Sequence, residues 1–187
     1  MPALLTYGML VSIDGFIAGE PGGRELPVPG AELHRHFNDR QRSAALSIYG
    51  RRMWEVMTYW AEPDPDRDEV GEDFAQAWVD TPKVVISTTL REAPQGARLI
   101  GSDVFDTVRR LKADTDGEID VSGAELAASL GAAGLVDEYH LYVQPVVLGA
   151  GTPYFGKGFA PELTLIGSEQ LPDGVVLTRY APVPARG

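Results

Sequence analysis

Residues 119–130 read IDVSGAELAASL, and Ser122-Gly123-Ala124 separate a short apolar run from a segment rich in Ala and Leu. A glycine turn between strand and helix leaves backbone N–H groups unpaired at the positive end of the helix dipole, which suits a phosphate. The same turn serves equally well as a plain connection. Gly50-Arg51-Arg52 forms a second junction of this kind. Arginine at a helix N-terminus opposes the dipole, an anionic ligand would repair that, and guanidinium matches phosphate in a bidentate contact. The alternative is a solvated pair, or Arg51 bound to one of the many acids. Ser87-Thr88-Thr89 place hydroxyls just beyond the β-branched run KVVIS at 83–87. They either donate to a phosphate or cap the next turn.

Candidates for proton transfer are sparser. Asp14-Gly15 is a turn signal, yet Asp14 lies between Ile13 and Phe16. It is read either as an ordinary turn residue or as an acid in a partly dry place, with a shifted pKa. Glu32, His34 and His36 fall on one predicted helix and read as surface residues, of which one or two could face a cleft. Gly149 and Gly151 flank Ala150, but Thr152-Pro153-Tyr154-Phe155 is no helix former, so a tight turn is expected there. No serine sits in a nucleophile elbow. With 3 histidines and no cysteine, neither a metal site nor thiolate chemistry is expected.

The elements that must position these groups alternate in type. Residues 4–13 read as a buried strand, 30–42 as a helix, 46–49 as a short strand, and a helix opens at Gly50. Loops are expected at 20–29, where Pro and Gly should leave the chain mobile, and at 62–69. A helix over 70–79, a strand over 83–87 and a helix capped by Asp103 and running to about Lys112 follow. Strands at 119–121 and 137–147 flank a helix over 125–130. Strands at 163–171 and 175–180, joined by Pro172-Asp173-Gly174, close the chain as a hairpin. This order predicts an α/β fold with a mostly parallel central sheet, helices on both faces and an antiparallel C-terminal hairpin. Ligands in such sheets bind beyond the carboxyl ends of the strands, here Ser12, Gly50, Ser87 and Ser122.

Composition limits the partners. The chain has 187 residues, 44% of them apolar, enough for one domain over 1–187 with a sizeable core. A net charge of −11 repels nucleic acid and anionic membrane, so neither is an expected partner. A phosphorylated small molecule needs only a local cluster of positive groups. No basic segment follows Met1, and no apolar run approaches the roughly 18 residues of a membrane span. A cytoplasmic location is the expectation.

In order, residues 12–18 (SIDGFIA), 50–55 (GRRMWE), 83–89 (KVVISTT), 121–126 (VSGAEL), 135–138 (LVDE) and 145–153 (PVVLGAGTP) resemble the dihydrofolate-reductase-like superfamily over nearly the whole chain. The likeness is to stand-alone proteins related to the C-terminal reductase domain of the bifunctional riboflavin-biosynthesis deaminase/reductase. It implies an NADPH-dependent reductase, often a homodimer, acting on a small pterin- or pyrimidine-like heterocycle such as 5-amino-6-(5-phosphoribosylamino)uracil. By position, Arg51 and Arg52, with Gly50 and Met53 beside them, would face the 2′-phosphate and pyrophosphate of NADPH. Ser87 and Thr88 would line the adenosine 2′-phosphate site. Ser122, Gly123, Ala124, Glu125 and Leu126 would seat the pyrophosphate, and Ile17 and Ala18 would lie at the nicotinamide end near Asp14.

Two positions depart from the pattern. Riboflavin-type reductases usually carry a substrate-touching acid where Ser122 stands. The first-helix carboxylate of folate reductases falls on His34, with Glu32 nearby. Asp14, Glu32, His34 or an ordered water are therefore the candidate proton donors. A non-catalytic NADP(H)-binding module is the alternative function, and an acidic structural protein is a third.

Overall fold

The computed structural model describes residues 2–93 and 96–184. Its centre is an eight-stranded sheet in the order β5-β4-β3-β6-β1-β7-β10-β9. The strands are β1 (Leu4–Ser12), β3 (Ala44–Gly50), β4 (Lys83–Ile86), β5 (Arg98–Ile100), β6 (Glu118–Ser122), β7 (Glu138–Gln144), β9 (Leu163–Gln170) and β10 (Val176–Pro182). From β5 to β7 every pairing is parallel, whereas β10 pairs antiparallel with both β7 and β9. Two short strands, β2 (Phe16–Ala18) and β8 (Thr152–Pro153), pair apart from the main sheet. The helices are α1 (Ala31–Ser43), α2 (Arg51–Met57), α3 (Glu69–Asp80), α4 (Val104–Asp114) and α5 (Ala124–Ala132). The mostly parallel sheet, the flanking helices and the C-terminal hairpin agree with the pattern expected from the sequence.

The two faces of the sheet differ in chemistry. Register pairs Leu5 with Ile119, and Tyr7 with Val121 and Tyr139, so these side chains share one face. With Val108 of α4 and Ala127 and Leu130 of α5 they form the main core. The opposite face begins with Thr6, paired to Asp120 and Glu138, and Gly8, paired to His140. Here Leu33 of α1 packs on Tyr142, Val175 and Leu177, while Phe74 and Trp78 of α3 pack on Tyr49 and Val85. Between these two small apolar clusters the second face is polar. Central parallel strands are normally apolar on both sides, so this polar strip departs from the rule.

Four local expectations need correction. β5 lies beyond β4 as a sheet edge and was not foreseen; at Arg98–Ile100 it is too short to show a period. Asp103 precedes α4 but its side chain caps nothing: the residue is left-handed at φ 50° and its carboxylate accepts from Ser102 Oγ. The strand expected over 137–147 stops at Gln144, because Pro145 has no N–H to continue the ladder. Finally, the loop over 20–29 is tied to the sheet, since Gln144 Nε2 donates to the Pro27 carbonyl at 2.8 Å. At its end Gly30 N donates to Asp173 at 2.7 Å.

Candidate functional site

Two strand-to-helix junctions meet where β3 and β6 end side by side. Tyr49 is paired with Ser122, so Gly50 and Gly123 open α2 and α5 next to one another. Neither cap supplies a side-chain acceptor. The first-turn N–H groups of α5 thus keep their donors for an outside acceptor. Gly123 adopts φ 119° and ψ 117°, open to glycine and strained for other residues. A Cβ built there would point at Gly50 N and Met53 Cβ, 3.8 Å from each. The junction is a shallow cradle that glycine keeps clear. Arg52 of α2 meets Glu125 of α5 across it at 3.4 Å, both side chains more than three-quarters exposed. Arg51 pairs with Glu55 one turn along α2, at 2.9 Å. Exposed pairs of this kind are worth about 0–1 kcal/mol, so both guanidiniums can be recruited by a stronger anion.

β4 adds the next strand end, since Gly50 is paired with Ile86. Ser87 follows, buried, and its Oγ accepts from Thr89 N at 3.2 Å and Leu90 N at 3.0 Å. It shapes the turn, while Thr88 is exposed beside it. Ile17 and Ala18 are in β2, which pairs with β8 and lies against β1. Gly50, Met53, Ser87, Ser122 and Gly123 are thus brought to neighbouring strand ends.

Beside this cradle opens a cavity of about 440 Å³. Its walls are apolar and aromatic, with Phe37, Met57, Trp60 and Phe74 on the helix side, and Leu26 and Val28 from the tied loop. Ile17, Met53 and Ser122 line it too, so it shares residues with the cradle. Its floor is the polar strip of the sheet, and the hub there is Arg40. The Arg40 guanidinium binds Asp120 at 2.5 Å and Glu118 at 3.4 Å. It also bonds His140 Nδ1 at 3.0 Å and donates to Tyr142 Oη at 3.4 Å. Gly8 lets it lie on the sheet: a Cβ there would come within 3.0 Å of Arg40 Nη2. Burial works against the Arg40 charge, but Asp120, Tyr142 and Glu118 outweigh it and the net shift is upward.

The network assigns the histidine tautomer. Guanidinium only donates, so His140 Nδ1 accepts and its proton is on Nε2, facing Glu138 at 2.7 Å. A neutral ring agrees with burial, the largest influence, which pulls the His140 pKa down. Three carboxylates, Glu118, Asp120 and Glu138, then stand against one guanidinium. The strip beneath the cavity is negative. Ser122 Oγ donates to Asp120 Oδ2 at 3.3 Å, which brings the acid to the cavity side.

The proton-transfer candidates separate. Asp14 is exposed, not partly dry, which corrects that expectation. Its carboxylate accepts from Leu148 N at 3.1 Å and Gly149 N at 2.7 Å. A hydrogen bond from Ser12, then these backbone donors, pull its pKa down to about 2. An acid that has lost its proton by neutral pH has none to donate, and its contacts pin the β7–β8 loop. Glu32 is exposed on α1 and does not line the cavity. His34 does, lying 5.6 Å from Phe74 and 5.9 Å from Trp60 between ring centroids. Burial, opposed by Asp68, lowers its pKa and favours the neutral ring.

Sequence reasoning missed Arg40, Asp120 and Tyr49. The signal was present in the strand EIDVS, where polar and apolar residues alternate in what should be a doubly buried strand. Arg40 follows Phe37 by one helical step, on the face that α1 turns to the sheet. Among the described residues no group of three or more His, Cys, Asp or Glu could hold a metal ion, and no helix is long and apolar enough to cross a membrane.

A sheet of this order, with glycine junctions at the ends of β3 and β6 and a cavity under α1, defines a dihydrofolate-reductase-like α/β protein. The chain belongs to the RibD C-terminal domain family, whose model matches residues 3–177. A Bacillus subtilis (strain 168) relative, the uncharacterized protein YyaP, is 29% identical over 148 residues, covering 79% of this chain and 77% of its own. A Shewanella sp. PV-4 protein named for riboflavin biosynthesis superposes with a TM-score of 0.73 at 22% identity, over 97% of this chain and 99% of that one. Dihydrofolate reductase from Enterococcus faecalis, complexed with NADP(H) and RAB-propyl, gives a TM-score of 0.64 at 13% identity over 96% of each chain. At these identities the two structures establish the shared fold.

Proposed function

We propose that the protein is an NADPH-dependent reductase of a small heterocycle. Family membership supports a reductase of the pyrimidine-reductase type. The observation that carries the reading is the continuity of the Gly50–Gly123 cradle with the 440 Å³ cavity through Ile17, Met53 and Ser122. The residues present suit a nicotinamide dinucleotide: two uncapped helix starts, a glycine held clear at φ 119°, and two arginines in weak exposed pairs. In this reading the backbone N–H groups of Ala124, Glu125 and Leu126 receive the pyrophosphate. Arg51 and Arg52 exchange their acids for phosphate oxygens, and Ser87 and Thr88 stand at the 2′-phosphate end. Ile17 and Ala18 border the nicotinamide.

The cofactor supplies a hydride when bound, and the chain supplies position and electrostatics. The aromatic walls exclude water and stack a flat ring. Asp120 and Ser122 orient its polar edge. Since Asp14 is held deprotonated, Glu32 faces solvent and burial favours the neutral His34 ring, the proton donor in this reading is an ordered water. The homodimer implied by the resemblance is kept as part of the proposal. Both edges of β7 are used by β1 and β10, so a second copy would dock elsewhere; sedimentation analysis decides its presence.

Titration with NADPH and NADH tests the reading. NADPH is expected to bind at least about tenfold more tightly, the worth of one charge-assisted contact. An Arg51→Gln/Arg52→Gln variant is expected to remove most of that preference. Equal or absent affinity of the unmodified protein for both cofactors sinks the assignment. If NADPH binds with the stated preference but no substrate supports its oxidation, the non-catalytic NADP(H)-binding module replaces the reductase.

A further inference from the structure

The cavity floor restricts what the second ligand can be. Among the described residues Arg40 is the sole arginine or lysine in the lining, and both terminal nitrogens of its guanidinium are already committed to Asp120, Glu118, His140 and Tyr142. His34, the one lining histidine, is biased toward its neutral form. Arg51 and Arg52 point to their exposed acids on the cradle side. Among the described lining residues no uncommitted cation is left to meet an anion. What faces the cavity instead is Asp120, whose Oδ2 has, among the described residues, only the long 3.3 Å bond from Ser122 Oγ. Glu118 and Glu138 stand behind it. A phosphate placed on this floor would be desolvated against carboxylates with no uncommitted cation to compensate.

We infer that the ligand of this cavity is a flat heterocycle, neutral or cationic and without a phosphate arm, whose N–H edge is read by Asp120 with Ser122. This rests on the reductase reading for its cofactor, but the cavity argument is independent of it. Walls of Phe37, Trp60 and Phe74 stack a ring of one or two cycles. An amidine- or guanidine-like edge offers the adjacent donors that a carboxylate accepts. The chain therefore departs from a phosphoribosyl substrate by the absence of a cation to hold it. The substrate is delivered by a reaction class that yields a free amino-heterocycle, such as dephosphorylation or loss of a sugar phosphate.

Calorimetry on the full-length protein saturated with NADPH tests this with two kinds of probe. 2-Aminobenzimidazole, a bicycle with a guanidine edge, is expected to bind, and Asp120→Asn to weaken it at least about tenfold. Cytidine 5′-monophosphate is expected to bind no more tightly than cytidine, from which it differs by the phosphate alone. Failure of 2-aminobenzimidazole to bind, or affinity unchanged in a folded Asp120→Asn protein, overturns the inference. So does a phosphate ester preferred tenfold or more over its nucleoside, a comparison that needs no variant. The NADPH titration of each sample separates the two readings. Binding of NADPH without 2-aminobenzimidazole rejects this ligand class alone, whereas binding of 2-aminobenzimidazole without NADPH rejects the cofactor assignment alone.

Discussion

Replacing Arg40 by Met tests the polar strip directly. The substitution keeps the stem that lies over Gly8 and removes the charge that holds Asp120 and Glu118. Breaking a buried pair by deleting one partner costs about 3–5 kcal/mol. The Arg40 and Asp120 side chains each retain 17% exposure, which argues for the lower end, about 3 kcal/mol. For a chain of this size each kcal/mol lowers Tm by about 2–4 °C, so a fall of about 6–12 °C is expected. Urea unfolding of both proteins at neutral pH measures the cost. Adding Asp120→Asn should recover at least about 1 kcal/mol, because the uncompensated charge goes with it. A single-variant cost below about 1 kcal/mol, or a double variant no better than the single one, would refute the account.

Asp14 and Gly123 carry the remaining predictions. The Asp14 pKa is lowered from 3.8 to about 2, so its contribution is complete above 3.8 and disappears as pH falls through about 2. Carboxyl-carbon NMR should place its titration midpoint near the lower value; a midpoint at or above 3.8 would show that the Leu148 and Gly149 contacts do not hold in solution. Gly123→Ala forces a residue with a Cβ into φ 119°, at about 1–3 kcal/mol of backbone strain. The new methyl also points into the cradle. Both Tm and NADPH affinity should drop, and an unchanged affinity in a destabilised protein would move the pyrophosphate away from this turn.

How legible the chain was depends on the range of the forces involved. The sequence by itself determined the alternation of strands and helices up to β7, the C-terminal hairpin and the two glycine junctions, because these follow from local period and turn chemistry. β5 escaped, since three residues show no period and Arg98–Ile100 is a strand only by pairing with β4. Asp103 was expected to cap α4 from its residue type, but cap geometry depends on a backbone angle that residue type does not set. The reading of Asp14 as an acid in a partly dry place, one of two alternatives, rested on its apolar neighbours in sequence. Its neighbours in space are Leu148 N and Gly149 N, and those leave it exposed and ionised.

The floor of the cavity is the clearest case of what only the tertiary structure decided. Arg40, Asp120 and His140 come from three separate segments, 80 to 100 positions from Arg40 to its partners. None of the three sits in a local motif that marks it. Sheet register sets Thr6 opposite Asp120 and Gly8 opposite His140, and α1 lowers Arg40 onto them. Burial then turns three ordinary side chains into one coupled charge network. Local sequence could point to the Gly50–Gly123 cradle, because a glycine turn before a helix carries its own chemistry. The sign of charge on the cavity floor required long-range pairing, because it is a sum over strands that meet only when the sheet has formed.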